Sequence, residues 1–470
     1  MGTARITGSF RDPSGYVFTR EGRVFRAVDD TCHHALRELA TAGKLETLIR
    51  DRAVVQTSFI TDPELHSTLA AEHPGAAHFL EHERLTHITY PYEWSVSMLA
   101  DAAVLTLGLQ LALLGSGFAL KDATAYNIQF REGRPTFIDL SSIERPRRLD
   151  VWFALGQFQR HFLFPLLLAR HRGWDLRSYF LGNLDGLGPA QVARNFTGLS
   201  RWSPGLLMDL TLPLLLEGKA QSGKSEGWDK AKEKTGGDPA AQIVNLKRLR
   251  GKVAALASGY RTAGAWHDYT ATCTYDDQAE ASKKKLIAAF LAETKPATVL
   301  DIGCNTGDYS YLAAESGATV IAADADHDAV ELLHRRLRAK PARITPMVVN
   351  AANPSPAIGY MNTERPSFLD RAPSDCVFAL AVIHHLLVSA NLGLEQIRDL
   401  LHTLALRSLV LEFVPTGDVQ FQRLIKFREN LFAGITLDAC LAIFAEKFDL
   451  IAQQPVAGTE RTLLFLGRRA

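Results

Sequence analysis

The stretch Thr298-Val299-Leu300-Asp301-Ile302-Gly303-Cys304-Asn305-Thr306-Gly307-Asp308, followed by Tyr309-Ser310-Tyr311-Leu312-Ala313-Ala314-Glu315, reads as strand, glycine turn and helix. The short apolar run fits a buried strand, and the glycines supply the positive φ that a tight turn close to a ligand demands. A second strand, Thr319 to Ala323, ends in Asp324, and the helical pattern His327 to Lys340 follows. This is a βαβ unit with an acid 23 positions after Asp301 (324 − 301). An acid at the tip of the second strand can accept both hydroxyls of a ribose, so the spacing points to an adenosine-type ligand. A turn of the same shape without a nucleotide is the alternative; the flanking strands and the second acid argue against it.

Working outward, a third apolar run, Thr345 to Val349, ends at Asn350. A fourth, Cys376 to Ala381, runs into Val382-Ile383-His384-His385, and a fifth, Ser408 to Phe413, ends near Glu412. Two more strand-like runs lie in the tail, Phe448 to Gln453 and Thr462 to Arg469. In an open α/β sheet the carboxyl ends of the strands face the ligand crevice. The runs VLDIGCNTGDYS (299–310) and VIAADAD (320–326) resemble the class I S-adenosylmethionine-dependent methyltransferases, over about residues 260–470. The resemblance implies an α/β, Rossmann-like seven-stranded methyltransferase sheet whose last two strands close antiparallel, with S-adenosyl-L-methionine as cofactor. It implies that the loop from Asp301 through Gly303, Asn305 and Gly307 holds the methionine part, that Asp324 binds ribose, and that the end of the third strand meets the adenine. Asn350 stands at that third place, where the family more often has Asp.

Methyl transfer from a sulfonium is an in-line displacement, so the protein mostly aligns donor and acceptor, at about 3–3.5 Å, and removes a proton when the acceptor is a hydroxyl. His384 or His385 is the candidate catalytic base, because an imidazole titrating at about 6.5 suits that task at neutral pH. The alternative is that one packs beneath the cofactor and the other lines the crevice. On an extended segment side chains alternate, so at most one of the two faces the pocket. Trp266-His267-Asp268-Tyr269 is either a lid or a packed domain entrance, and Glu412 either neutralises an amine acceptor or hydrogen-bonds in the crevice.

The other half starts with Gly15 to Val28, alternating apolar and polar around Glu21-Gly22 as a β-hairpin does. Later come an apolar helix, Ser95 to Leu114, and Lys121-Asp122-Ala123-Thr124-Ala125-Tyr126-Asn127. A short strand, a turn at Glu132-Gly133-Arg134 and a strand ending in Asp139 follow. Asp-x4-Asn, a hairpin and a strand-end Asp is the order that kinases use for acceptor and magnesium. The stretch KDATAYNIQFREGRPTFIDLSS (121–142) thus resembles protein kinases and aminoglycoside phosphotransferases. The resemblance implies an α+β kinase-like domain in which Asp122 orients the acceptor, Asn127 and Asp139 ligate Mg²⁺, and ATP is the donor. Leu120-Lys121 replaces the usual His-Arg, Asp139-Leu140-Ser141 is not Asp-Phe-Gly, Gly15 stands alone where a glycine-rich loop belongs, and Arg26 is the nearest match to the phosphate-pairing lysine. Activity and a retired scaffold both remain open, as does a chance Asp-x4-Asn in an unrelated helical domain.

Composition bounds the whole. The 470 residues, 47% hydrophobic and 22% charged, exclude a disordered tail or a membrane bundle and suit two domains. From Gly218 to Asp238 the run GKAQSGKSEGWDKAKEKTGGD holds one large apolar residue, Trp228, and reads as a flexible linker. The expected division is 1–217, kinase-like; 218–238, linker; and 239–470, methyltransferase, with Asp238-Pro239 opening the first helix of the last. Fifty-two Lys and Arg against 51 Asp and Glu give a net charge of +1, so no global field recruits nucleic acid or an anionic membrane. The basic runs Leu246–Lys252 and Gln422–Asn430 lack interleaved aromatics and read as solvated helix faces. Five scattered cysteines without a CxxC pair, and no targeting signal, fit the cytoplasm.

A kinase-like half followed by IGCNTGDYS and AVIHHL resembles the nodulation protein NoeA-like group of rhizobial and other bacterial proteins. The expected function is methyl transfer to a hydroxyl or amine of a small molecule or glycan precursor, with the N-terminal half presenting or phosphorylating it. A bifunctional kinase-methyltransferase making a methylated phosphate cap and a non-catalytic cofactor-binding regulator are the alternatives.

Overall fold

A computed structural model of the chain describes residues 3–198, 202–212, 214, 237–261, 277–426 and 429–469. Within them the chain divides into two units: Met1–Leu85, Thr89–Phe130 and Arg134–Arg261 form the first, and Thr262–Ala470 with the short segments Thr86–Ile88 and Arg131–Gly133 the second. The expected linker 218–238 lies outside the described residues except for Gly237 and Asp238.

The first unit begins with a five-stranded antiparallel sheet of β1 (Ala4–Arg5), β2 (Gly15–Arg20), β3 (Arg23–Val28), β4 (Thr57–Phe59) and β5 (His78–His82), ordered β1-β2-β3-β5-β4. Glu21 and Gly22 both take positive φ, +53° and +77°, the backbone of a two-residue hairpin turn. Helix α1 (Asp30–Thr41) follows β3 and is capped by Asp29, whose carboxylate accepts the Cys32 N–H. Helix α2 (Val96–Leu114) is apolar on all sides and runs through the core, two-thirds buried. By length and composition alone it would also cross a membrane. Beyond it lie β6 (Ala119–Leu120), the hairpin β7 (Ile128–Arg131) and β8 (Arg134–Phe137), and β9 (Ile143–Glu144), which pairs with β6.

The helix expected to open the methyltransferase half, α3 (Ala240–Ser258), belongs to this first unit instead. Asp238 Oδ1 accepts the Ala240 N–H at 2.9 Å, as its capping role predicts. Leu246, Leu249 and Val253 are buried, and Gln242 accepts from Gln110 of α2 at 3.1 Å and donates to the Leu149 carbonyl at 3.1 Å. Amphipathic spacing identifies a helix but not the surface it will cover, and this boundary moves for that reason. In the basic run Leu246–Lys252, Arg248 and Lys252 both bind the buried Asp209, so two of its cations are taken up inside the fold.

The second unit is a seven-stranded sheet flanked by helices. Its strands are β10 (Thr298–Ile302), β11 (Thr319–Asp324), β12 (Ile344–Val348), β13 (Ser374–Ala379), β14 (Ala405–Phe413), β15 (Phe448–Pro455) and β16 (Thr462–Arg468). The order is β12-β11-β10-β13-β14-β16-β15; the first five are parallel, and β16 runs antiparallel between β14 and β15. The mostly parallel sheet and its antiparallel closure agree with the expectation. Val299, Leu300, Val377 and Phe378 are all buried, on opposite faces of their strands, because helices cover both sides. Helix α4 (Asp277–Thr294) leads into β10, α5 (Asp308–Glu315) follows it, and α6 (His327–Ala339) joins β11 to β12. Strand order reverses between β10 and β13, which opens the crevice at their carboxyl ends.

Candidate functional site

The turn after β10 is built by its backbone. Gly303, Asn305 and Gly307 have φ of +71°, +50° and +87°. A side chain on Gly303 would lie 3.1 Å from Val382, and one on Gly307 would lie 2.5 Å from Leu333 of α6. The chain beyond β13 and helix α6 thus hold the turn from two sides, and only glycine fits both the conformation and the space. Asp324, half-buried at the tip of β11, accepts the Asn305 N–H on Oδ2 and the Asp326 N–H on Oδ1, each at 2.8 Å. Asp326 in turn caps α6 through the Asp328 N–H. Burial holds the Asp324 carboxyl above its ordinary range. The two oxygens together have four acceptor positions, and the backbone N–H groups of Asn305, Ala325 and Asp326 leave room for a ligand hydroxyl. The side-chain oxygen of Asn305 is buried and has no hydrogen-bond partner, a group that a ligand donor would satisfy. Positive-φ glycines, an orphaned acceptor and a strand-end carboxylate together fit the adenosine and amino-acid parts of S-adenosylmethionine.

Asp301 sits deeper, on β10, fully buried and accepting from the Ser310 hydroxyl at 2.6 Å. Burial pushes its carboxyl up to about 6. A carboxyl raised from 3.8 takes up a proton on folding between about pH 4 and 6, so the folded state weakens as pH climbs through that window. Asp301→Asn is therefore expected to melt higher than the wild type at pH 7.5, by up to roughly 3 kcal/mol, with the difference shrinking towards pH 4. Calorimetric melting of both proteins across that range checks it; a gap that widens on acidification would contradict the assignment. Asn350 is exposed beyond β12 and its side-chain oxygen accepts the Ala352 N–H at 2.9 Å, closing its own turn.

His384 and His385 do not continue the fourth strand. Strand β13 ends at Ala379, Ala381 takes a left-handed φ of +52°, and both histidines fall in the helical turn α7 (Ile383–Val388). The expectation of alternating sides is corrected, since the two rings lie 4.2 Å apart. His384 is completely buried near Phe421, its two nitrogens have no hydrogen-bond partner, and burial, then His385 and Arg461, push it down to about 3. His385 is half-buried and lowered by burial and then by Arg461. An alanine in left-handed backbone costs about 1 kcal/mol and marks a place where the surroundings dictate the conformation.

Glu412 is fully buried at the end of β14 and is not an open crevice carboxylate. Lys283 of α4 pairs with it, Arg461 approaches at 3.5 Å, and Arg461 also grips Asp418 at 2.8 and 3.1 Å. The Lys283 ammonium lies over the Tyr309 ring at 4.6 Å. Sequence reading missed this network: Lys283 opens a run of three lysines that looks like a solvated helix face, and Arg461 follows a turn. The aromatic cluster at 266–269 lies outside the described residues.

In the first unit, Asn127 and Asp139 are hydrogen-bonded neighbours, and Asp122 lies near enough to Asp139 to feel its charge. Asp122 accepts from Gln157 at 3.2 Å and is raised by burial. Asn127 donates to Asp139 Oδ2 at 3.4 Å. The other oxygen of Asp139 accepts from the Arg26 guanidinium at 2.7 Å and from the Ser141 hydroxyl at 2.6 Å, while Ser142 also bonds Oδ2. This set does not fit the Mg²⁺ implied by the kinase resemblance. Magnesium needs oxygens at about 2.0–2.1 Å, and here a permanently charged guanidinium already occupies the carboxylate. Among the described residues no group of three or more His, Cys, Asp or Glu side chains is placed to hold a metal.

Residues 299–403 match the family model described as a methyltransferase domain. Nodulation protein NoeA of Rhizobium meliloti (strain 1021) is 34% identical over 460 residues, covering 98% of this chain and 95% of that protein. Among solved structures, magnesium protoporphyrin IX methyltransferase (ChlM) from Synechocystis PCC 6803 with bound SAH is 18% identical, covering 48% of this chain and 94% of that one, with a TM-score of 0.31. The N-methyltransferase NodS from Bradyrhizobium japonicum WM9 is 12% identical, covering 42% and 99%, with a TM-score of 0.31.

Proposed function

Because the chain belongs to the family of nodulation protein NoeA and is an S-adenosylmethionine-dependent methyltransferase, we propose that it methylates a hydroxyl or amine of a small molecule or glycan precursor, which the N-terminal unit presents. The observation that carries the cofactor half of this reading is the cradle of Gly303, Asn305, Gly307 and Asp324. Its orphaned acceptor and the remaining acceptor capacity of the Asp324 carboxylate answer the donors of an adenosine and an amino group. The cofactor supplies an electrophilic methyl group; the chain binds it, shields it and takes a proton from the acceptor. His385 is the base we assign. His384, driven to about 3, is too weak a base at neutral pH, whereas its neighbour is only half-buried. The near-zero net charge supports a small or neutral acceptor over a polyanion.

The N-terminal unit we read as kinase-like, on the strength of its antiparallel sheet followed by α1 and of the convergence of Asp122, Asn127 and Asp139. The Arg26–Asp139 pair favours presentation of the substrate over its phosphorylation.

Incubating the protein with methyl-labelled cofactor and a panel of glycans, polyols and amines should yield labelled product. His385→Gln should lower kcat by about 10²–10³ while the cofactor affinity stays within twofold. Tight cofactor binding with no labelled product from any acceptor would replace this reading with that of a binding regulator.

A further inference from the structure

A cavity of about 600 Å³ in the first unit is walled by α1, by His78 at the start of β5 and by Ile143 and Glu144 of β9. That volume is in the range of small-molecule sites. Its lining sets the carboxylates of Asp30, Glu38 and Glu144 against the cations of Lys121 and Arg145. More charge stands directly behind that lining. Asp12 accepts from Lys121 at 3.1 Å, Asp29 accepts the Cys32 N–H at 2.7 Å, and Asp139 accepts from Arg26 at 2.7 Å and from the lining Ser141 hydroxyl at 2.6 Å. Asp122 acts on Glu144 through its charge, and Arg37 donates to His33 at 3.3 Å. Seven carboxylates thus stand in or behind the wall with four permanent cations, and protonation of both His34 and His78 would still leave the anions in excess. Burial, then His78 and Arg37, hold His33 below its ordinary range, so it stays neutral at neutral pH.

Most of these acids already have a partner. Glu38 pairs with Arg145, Asp30 with His78, Asp139 with Arg26 and Asp12 with Lys121, while Asp122 accepts from Gln157. Glu144 is different. Its half-buried carboxylate accepts no hydrogen bond among the described residues, and burial raises it, with Lys121 opposing the rise and Asp122 adding to it. A carboxylate held in a wall of net negative charge attracts a cation and repels an anion. A bare metal ion is poorly served, since among the described residues no three His, Cys, Asp or Glu side chains are placed to hold one. The cavity instead has room and chemistry for an organic cation: the His33 and His78 rings, stacked at 3.8 Å and 4° from parallel, give it a flat wall, and Ser14 and Thr31 line it with hydroxyls.

We infer that the N-terminal unit binds a hydroxylated organic amine in this cavity, its ammonium on the Glu144 carboxylate and its hydroxyl-bearing remainder along Ser14, Thr31 and the stacked imidazoles. The site lies wholly in the first unit. It rests on the presenting role given to that unit above only in naming what is presented; the binding itself does not depend on methyl transfer, and a failed methylation assay leaves it standing.

The test is calorimetric titration of the full chain, at neutral pH in an amine-free buffer, with glucosamine and glucamine as the probes and with glucose and sorbitol as their neutral counterparts. At least one amine should bind roughly tenfold or more tightly than its counterpart, the fold-change of one charge-assisted hydrogen bond. Glu144→Gln should remove that advantage while its thermal midpoint stays close to that of the wild type. Should the variant fail to fold, Lys121→Met, which withdraws the cation acting on Glu144, must tighten the amine at least threefold and leave glucose unchanged. No binding of either amine, equal affinity for amine and neutral counterpart, or a preference that survives Glu144→Gln overturns the inference.

Discussion

Asp324→Ala should reduce affinity for S-adenosylhomocysteine by about two to four orders of magnitude. The carboxylate accepts backbone N–H groups, among them those of Asn305 and Asp326, which fix its orientation at the tip of β11. Charge-assisted hydrogen bonds contribute about 1.5–3 kcal/mol each, and two of them to a ribose correspond to roughly 10²–10⁴ in Kd. Asp324→Asn keeps an acceptor but loses the charge, so a loss of at least about tenfold is expected. The ligand-free protein should melt within a few degrees of the wild type, because the substitution relieves a desolvated carboxyl while freeing two loop amides to water. Calorimetric titration and melting of the two variants decide the matter. A change below tenfold for Asp324→Ala would remove this residue from the cofactor site.

Glu412→Ala should destabilise the second unit by about 3–5 kcal/mol, the usual cost of breaking a buried ion pair from one side. Lys283 would be left buried beside Tyr309 without its carboxylate, whereas Arg461 would keep Asp418. The thermal transition that S-adenosylhomocysteine raises belongs to this unit, and its midpoint is the quantity to follow. Glu412→Leu with Lys283→Met, which replaces the pair by apolar groups, should recover most of the loss. A fall of under 1 kcal/mol for Glu412→Ala would mean that the pair is not formed in solution.

The parts of the site legible in the sequence are those whose chemistry is local. Strand, positive-φ glycines, helix and a second strand ending in Asp324 all announce themselves within about thirty residues, and the structure places them as read. Asn350 is read from its place after the third strand, and in the structure its side-chain oxygen accepts the Ala352 N–H. One feature hides the helical turn that carries the histidines: Ala381 adopts a left-handed backbone more usual for Gly or Asn, so no residue type marks the end of β13. What no local pattern could reveal are pairs that form across distance. Arg26 and Asp139 are separated by 113 positions, Lys283 and Glu412 by 129, and in each case the charges look solvated until the fold brings them together. The membership of α3 was obscured in the same way, because its apolar stripe could cover either unit.

The same long separations set a schedule. Glu412 has one cationic partner 129 residues before it and another 49 residues after it. The chain is made from its N-terminus, so the strand that carries Glu412 is made before Arg461 and β16, and until they follow β14 has no neighbour on one side and its acid lacks one of its counter-charges. The nascent second unit thus presents an open hydrophobic edge until β16 slots between β14 and β15.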